Sequence, residues 1–237
     1  MRKFNRDLSE KLGLRIGKAE GNELTGSTPC QVLKTGWLDQ EWEVGLEWYL
    51  KRIKGEKIVD TGFISHQNFT KLLARLGFTV YGVDLGLFTG YFPNLHYLNC
   101  LVWDIPVLKD NSIDTVIANS LLEHLGLDCY NQPTCTEAED DTLKEFVRIL
   151  KPHGKLLMQV PYAKETTIIN HKGEQFYRTY TMKTLDRLLY PKFRVVDKTF
   201  YARGERCWLE VNQEVANKIE QGSGFPVCLA YLEVIKR

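Results

Sequence analysis

The chain predicts an α/β fold: a three-layer α/β/α sandwich around a mostly parallel, seven-stranded sheet with an antiparallel hairpin at one edge. Three observations predict it. Short β-rich runs alternate with segments of helical period between residues 39 and 191, as in a parallel sheet covered by helices on both faces. Two late β-rich runs, 193–200 and 227–235, have little helix between them. The 237 residues, 43% of them hydrophobic, are enough for one sizeable core.

The elements follow in order. Residues 1–38 are mixed, polar and Gly-rich, and read as an N-terminal arm or lid; residues 39–237 read as the domain proper. A helix is expected from Asp39, with Trp42, Leu46, Tyr49, Leu50 and Ile53 at helical spacing and Gly55 ending it. Lys57 to Asp60 is a short strand. Ser65 is expected to cap a helix that buries Phe69, Leu72, Leu73 and Leu76 and closes at Gly77. Strands follow at 78–84, 95–102 and 113–119. Thr136 to Glu139 has the form of a capping box, opening a helix with Leu143, Phe146, Val147 and Leu150 on one stripe. Pro152-His-Gly154 breaks it before a strand at 155–160. A helix at 182–189 stops at Pro191, and the two late strands complete a count of seven.

Composition narrows the function classes. Thirty-one Lys and Arg nearly balance thirty Asp and Glu, and no local basic patch stands out, so no nucleic-acid partner is expected. No apolar run approaches the roughly 18 residues of a membrane helix, and no apolar signal core follows the basic start. The expectation is a cytoplasmic protein that leaves membranes alone. The six cysteines form no Cys-x-x-Cys pair and the five histidines no His-x-x-x-His pair, so no metal site is expected.

In open α/β sheets, ligands sit beyond the carboxyl ends of the strands. The residues there are Asp60, Gly62 and Ser65 after the first strand, Asp84 after the second, Asp104 after the third, and Asn119 and Ser120 after the fourth. A carboxylate at position 84 accepts from both hydroxyls of a ribose. Gly62 permits positive φ and a close approach of backbone to ligand. The helix starting at Ser65 points free N–H groups into the same cleft. Asp104 is placed to accept from an adenine amino group, with Trp103 and Ile105 against the ring.

The order of these blocks resembles the class I S-adenosylmethionine (SAM)-dependent methyltransferases, in particular the small-molecule, type 11-like group. The matching text is Val59-Asp-Thr-Gly62, Tyr81-Gly-Val-Asp84, Leu121-Leu-Glu-His124, Glu145 through Gly154 and Val160-Pro-Tyr162. A fainter likeness after residue 177 is to a subgroup linked with glycan pathways. The resemblance implies a Rossmann-like fold and SAM as cofactor. It implies that Asp60, Gly62 and Ser65 hold the methionine part, Asp84 and Leu85 the ribose, and Asp104 and Ile105 the adenine. Asn119 and Ser120 would line the methyl-transfer side, with Glu123 and His124 near the acceptor. The family's second glycine is replaced by Ile64, preceded by Phe63, and a β-branched residue tolerates positive φ poorly.

Three functions follow from this reading. The first is methyl transfer to a small molecule, with His124 as the candidate base and Glu123 and Tyr162 behind it. The second is a catalytically inactive binding or assembly protein, should Phe63 and Ile64 fill the cleft. The third is a nicotinamide-dependent oxidoreductase, which the missing Gly-x-Gly-x-x-Gly disfavours. Loop 128–135 and residues Phe176, Tyr177 and Arg178 are expected to shape the acceptor pocket.

Overall fold

The computed structural model describes residues 15–19, 30–34, 43–204, 208–222 and 224–237. Within the expected N-terminal arm, β1 (Arg15–Ala19) pairs antiparallel with β2 (Cys30–Lys34). Helix α1 spans Glu43–Leu50; the expected start at Asp39 and the residue Trp42 lie outside the described residues.

The main sheet is built from β3 (Lys57–Thr61), β4 (Thr79–Asp84), β5 (Leu95–Asn99), β6 (Ile113–Asn119), β7 (Leu150–Pro161), β10 (Phe193–Arg203), β11 (Trp208–Val211) and β12 (Cys228–Lys236). Its order is β11-β10-β12-β7-β6-β3-β4-β5. The five strands from β5 to β7 run parallel, and β12, β10 and β11 are antiparallel. Between the strands lie α2 (Gln67–Arg75), α3 (Ala138–Ile149), α4 (Met182–Leu189) and the short α5 (Gln213–Ala216). A separate hairpin, β8 (Ile168–His171) with β9 (Glu174–Arg178), follows β7.

The expected architecture stands, with eight strands in place of seven. The added strand is β11, whose four residues pair with the end of β10; it is too short to show a period in the sequence. The third strand ends at Asn99, ahead of the expected Val102.

Strand alternation explains why both faces are covered. Side chains of successive strand residues point to opposite faces. Val59, Val116, Leu156 and Met158 join the core that holds Phe146, Ile149, Leu185 and Leu189 of α3 and α4. Their neighbours Ile58, Ile117 and Leu157 join the core that holds Leu46, Trp48 and Tyr49 of α1 and Phe69, Leu72 and Leu73 of α2. Each central strand is therefore apolar on both sides, which fixes it in the middle layer.

Two capping expectations are corrected. Ser65 does not cap α2: residues 63–66 form a 3-10 turn, and the Ser65 hydroxyl turns back to the Gly62 carbonyl at 3.0 Å. The Thr136–Glu139 capping box does not form either. Glu137 precedes α3 without a side-chain cap, because the Glu139 carboxylate is drawn to Arg178 and to the Tyr180 hydroxyl.

Candidate active site

Strand β3 has β4 on one side and β6 on the other. The chain leaves β3 toward β4 and later returns to the other side through β6, so a crevice opens between the loops at their carboxyl ends. A cavity of about 580 Å³ lies there, within the range typical of small-molecule sites.

One wall is the turn after β3. Gly62 sits at φ +65 in the left-handed region, and its N–H donates to Val83 O at 2.9 Å. A Cβ at this position meets Leu121 Cδ1 at 3.5 Å, an ordinary contact, so the requirement for glycine is conformational rather than steric. Gly62 takes the left-handed conformation and leaves Ile64 in a 3-10 turn outside the positive-φ residues. Phe63 turns away from the cavity. It is fully buried, packs on Gly82 closely enough that a Cβ there would meet its ring at 2.9 Å, and stands edge-on to Phe88. Ile64 does line the cavity, over Gly86.

Asp84 ends β4 beside this turn. Its carboxylate accepts the Ile64 N–H at 3.0 Å and the Gly86 N–H at 2.8 Å, one on each oxygen. Each oxygen keeps a further lone pair for a ligand. Leu85, Leu101, Val102 and Trp103 extend this side of the cavity as an apolar surface.

The opposite wall starts at the end of β6. The Asn119 amide is fixed by the buried Tyr49 hydroxyl, which donates to Oδ1 at 2.8 Å. Burial raises the Tyr49 pKa well above the ordinary phenol value, so it remains a donor. Ser120 adopts φ 52 and hydrogen-bonds the buried Glu123 carboxylate. The His124 Nδ1 lies 2.6 Å from Phe176 O. A carbonyl only accepts, so Nδ1 carries the proton and Nε2 is left as the acceptor. Burial is the main cause that lowers the His124 pKa, to about 4, and the ring is neutral at physiological pH.

Of the residues expected from sequence, Gly62, Ser65, Asp84, Leu85, Asn119, Ser120, Glu123 and His124 all line this one cavity. Four do not. Asp60 is fully buried behind the turn, accepting from Thr70 Oγ1 at 2.6 Å and bonded to His66 Nε2 at 3.0 Å; it braces the loop from inside. Asp104 is exposed to solvent and Ile105 is packed in the core. The strand ends early, so the wall is formed by the three residues before them. The Tyr162 hydroxyl is engaged with Asn217 Oδ1 at 2.6 Å and the Met182 N–H at 3.2 Å, outside the lining. Arg178 likewise stays outside, binding Leu125 O and Glu139.

Sequence reading missed His66, Gly86, Phe225 and Pro226, all of which line the cavity. The antiparallel register carries a signal for the last two. Leu229 pairs with Pro161, so whatever precedes β12 must arrive at the carboxyl end of β7.

Among the described residues the lining contains Asp84 and Glu123 but no Lys or Arg, an electrostatic character that suits a ligand with net positive charge. SAM, with a sulfonium and an ammonium against one carboxylate, is such a ligand. The donor set fits it: a carboxylate for a diol, a glycine turn for close backbone approach and an apolar surface for a flat base.

Comparison with known proteins agrees with this geometry. Residues 60–158 match the family model described as a methyltransferase domain. No curated protein sequence matches the chain significantly. Among solved structures, the chain is similar to the Burkholderia thailandensis 1,6-didemethyltoxoflavin-N1-methyltransferase, with TM-score 0.56 and 18% identity over 81% of this chain and 74% of that one. A Methanosarcina mazei SAM-dependent methyltransferase aligns with TM-score 0.55 and 15% identity over 78% of this chain and 95% of that one. The N-methyltransferase NodS from Bradyrhizobium japonicum aligns with TM-score 0.51 and 11% identity over 84% and 89%. At these identities the likeness establishes the fold.

Proposed function

We propose that this chain, which has the fold of the class I SAM-dependent methyltransferases and matches a methyltransferase domain model over residues 60–158, transfers a methyl group from SAM to a small-molecule acceptor. The observation that carries the reading is the joint placement of Gly62 and Asp84 on one wall of the switch-point cavity and Asn119, Glu123 and His124 on the other. Two similar structures were solved with S-adenosylhomocysteine bound, which supports the same cofactor here.

In this reading Asp84 holds the ribose hydroxyls, the Gly62–Ser65 turn holds the methionine end, and Leu101, Val102 and Trp103 cover the adenine. Bound SAM supplies an already activated methyl group, so the protein's task is alignment and exclusion of water. Asn119, fixed by Tyr49, and Glu123, held by Ser120, define the side on which the acceptor approaches. Neutral His124 offers Nε2 to the acceptor's N–H or O–H and orients its lone pair. A group with a pKa near 4 is a weak proton store, so His124 acts by positioning and by passing the proton on to water.

The inactive reading required Phe63 or Ile64 to fill the cleft. Phe63 lies in the core, which removes half of its motive. The nicotinamide reading gains nothing from the geometry.

The test is calorimetry with S-adenosylhomocysteine on the wild type and on Asp84→Ala. We expect micromolar binding and a loss of at least tenfold in the variant. No heat and no thermal shift in the wild type at millimolar ligand would reject the proposal.

A further inference from the structure

We propose that the methyl acceptor is a flat aromatic or heteroaromatic molecule without negative charge, stacked on a wall formed by Tyr130, His124 and Phe176. The inference deepens the methyltransferase reading and rests on it.

The three rings pack against one another at an angle, with planes 85° apart for His124–Tyr130, 59° for His124–Phe176 and 46° for Tyr130–Phe176. The His124–Tyr130 centroids are 5.0 Å apart, His124–Phe176 5.1 Å and Tyr130–Phe176 5.8 Å. Rings at these separations touch each other. The rings are tilted to one another, so the cluster offers a flat ligand one ring face bordered by the edges of the other two.

This cluster is not simply core packing. Tyr130 is 62% exposed while lining the cavity, and Phe225, which lines the same cavity, is 64% exposed. Burial within the fold does not hold them there. Their positions are nonetheless built. The Phe176 carbonyl receives His124 Nδ1–H, and the Tyr177 hydroxyl donates to Gly224 O at 2.6 Å, tying hairpin β8–β9 to the loop that carries Phe225 and Pro226. Burial comes first among the causes that raise the Tyr130 pKa, with Cys129 and Glu123 adding to it, so its hydroxyl is a phenol able to donate.

Charge sets the second part of the class. Glu123 is buried beside His124, no Lys or Arg is among the described residues that line the cavity, and the nearby Arg178 is paired with Glu139. A carboxylate or phosphate on the acceptor would lose its hydration with no cation of this described lining to replace it. The transfer balances with an acceptor bearing N–H or O–H. Its lone pair forms the bond to the methyl carbon, the carbon–sulfur pair remains on sulfur, and its proton leaves past His124 Nε2 to water.

The test is a titration of three probes, with and without saturating S-adenosylhomocysteine: 6-hydroxyquinoline, its anionic analogue quinoline-6-carboxylate, and the neutral saturated bicycle decahydronaphthalen-2-ol. We expect 6-hydroxyquinoline to bind at least tenfold more tightly than the other two. Phe176→Ala and Tyr130→Ala should each weaken it about tenfold while S-adenosylhomocysteine affinity stays within twofold. The exposed Phe225→Ala provides a variant that leaves the core intact, with a loss of threefold or more. Equal or tighter binding of the saturated alcohol or the carboxylate, no binding of 6-hydroxyquinoline, or insensitivity to all three variants would overturn the proposal. If S-adenosylhomocysteine itself fails to bind, the methyltransferase reading falls; the three probes then still report on the aromatic wall.

Discussion

Ile64 and Phe63 stand where a second glycine and its neighbour would give the usual cofactor turn, and the structure separates their roles. Phe63 is a core residue, so Phe63→Ala is expected to cost about 3–5 kcal/mol in urea unfolding. Ile64 packs over Gly86 beside the cavity, and Ile64→Ala is expected to leave S-adenosylhomocysteine affinity within threefold; a gain of more than tenfold would show that the native side chain obstructs the site. His124 gives a pH-linked prediction. Its folded pKa is about 4, against 6.5 when unfolded. Between those values the unfolded chain binds more protons, so the stability His124 contributes is complete above pH 6.5 and is lost as pH falls toward 4. By pH 4.5 the loss reaches roughly 2–3 kcal/mol. Urea unfolding at pH 7 and pH 4.5 should show that acid-linked loss in the wild type and a smaller one in His124→Asn. The sequence marked Gly62, Asp84 and Asn119 as strand-end residues, and all three line the cavity. It marked Asp60 for the same reason, but strand position does not say which way a carboxylate turns, and Thr70 and His66 turn this one inward.

At the level of elements, α1 reaches the site from the far end of its helix. The Tyr49 hydroxyl holds Asn119 at the end of β6, across 70 positions of sequence. Tyr49→Phe leaves the buried Asn119 oxygen without this donor, so a cost of about 1–3 kcal/mol is expected. Cofactor affinity should fall severalfold, because the amide is free to rotate; unchanged affinity with unchanged stability would remove Tyr49 from the site. Hairpin β8–β9 and the loop before β12 were the least legible elements. Their strands are four or five residues long and carry mixed side chains, and no local period distinguishes them from loop. The capping box at Thr136 failed for a related reason. A local motif was outcompeted by a partner distant in sequence, since Arg178 and Tyr180 claim Glu139.

The whole molecule places its chemistry at the one crevice that the strand order dictates. Alternating β and α segments, with apolar residues on both faces of Ile58–Val59, Val116–Ile117 and Leu156–Met158, made the parallel core legible. The eighth strand was not, because β11 is defined by pairing alone. No helix among the described residues is long and apolar enough to cross a membrane. If the crevice is a cofactor site, ligand binding must stabilise the fold by mass action, about 2.7 kcal/mol at a ligand concentration 100 times Kd. Thermal unfolding should therefore shift upward with S-adenosylhomocysteine in the wild type and far less in Asp84→Ala. The most direct measurement is a crystal structure with S-adenosylhomocysteine. The account predicts both ribose hydroxyls on the Asp84 carboxylate, the adenine against Leu101–Trp103, and the sulfur facing Asn119 and His124. An adenosine bound elsewhere, or the Ile64 side chain occupying the ribose position with no ligand density, would contradict it.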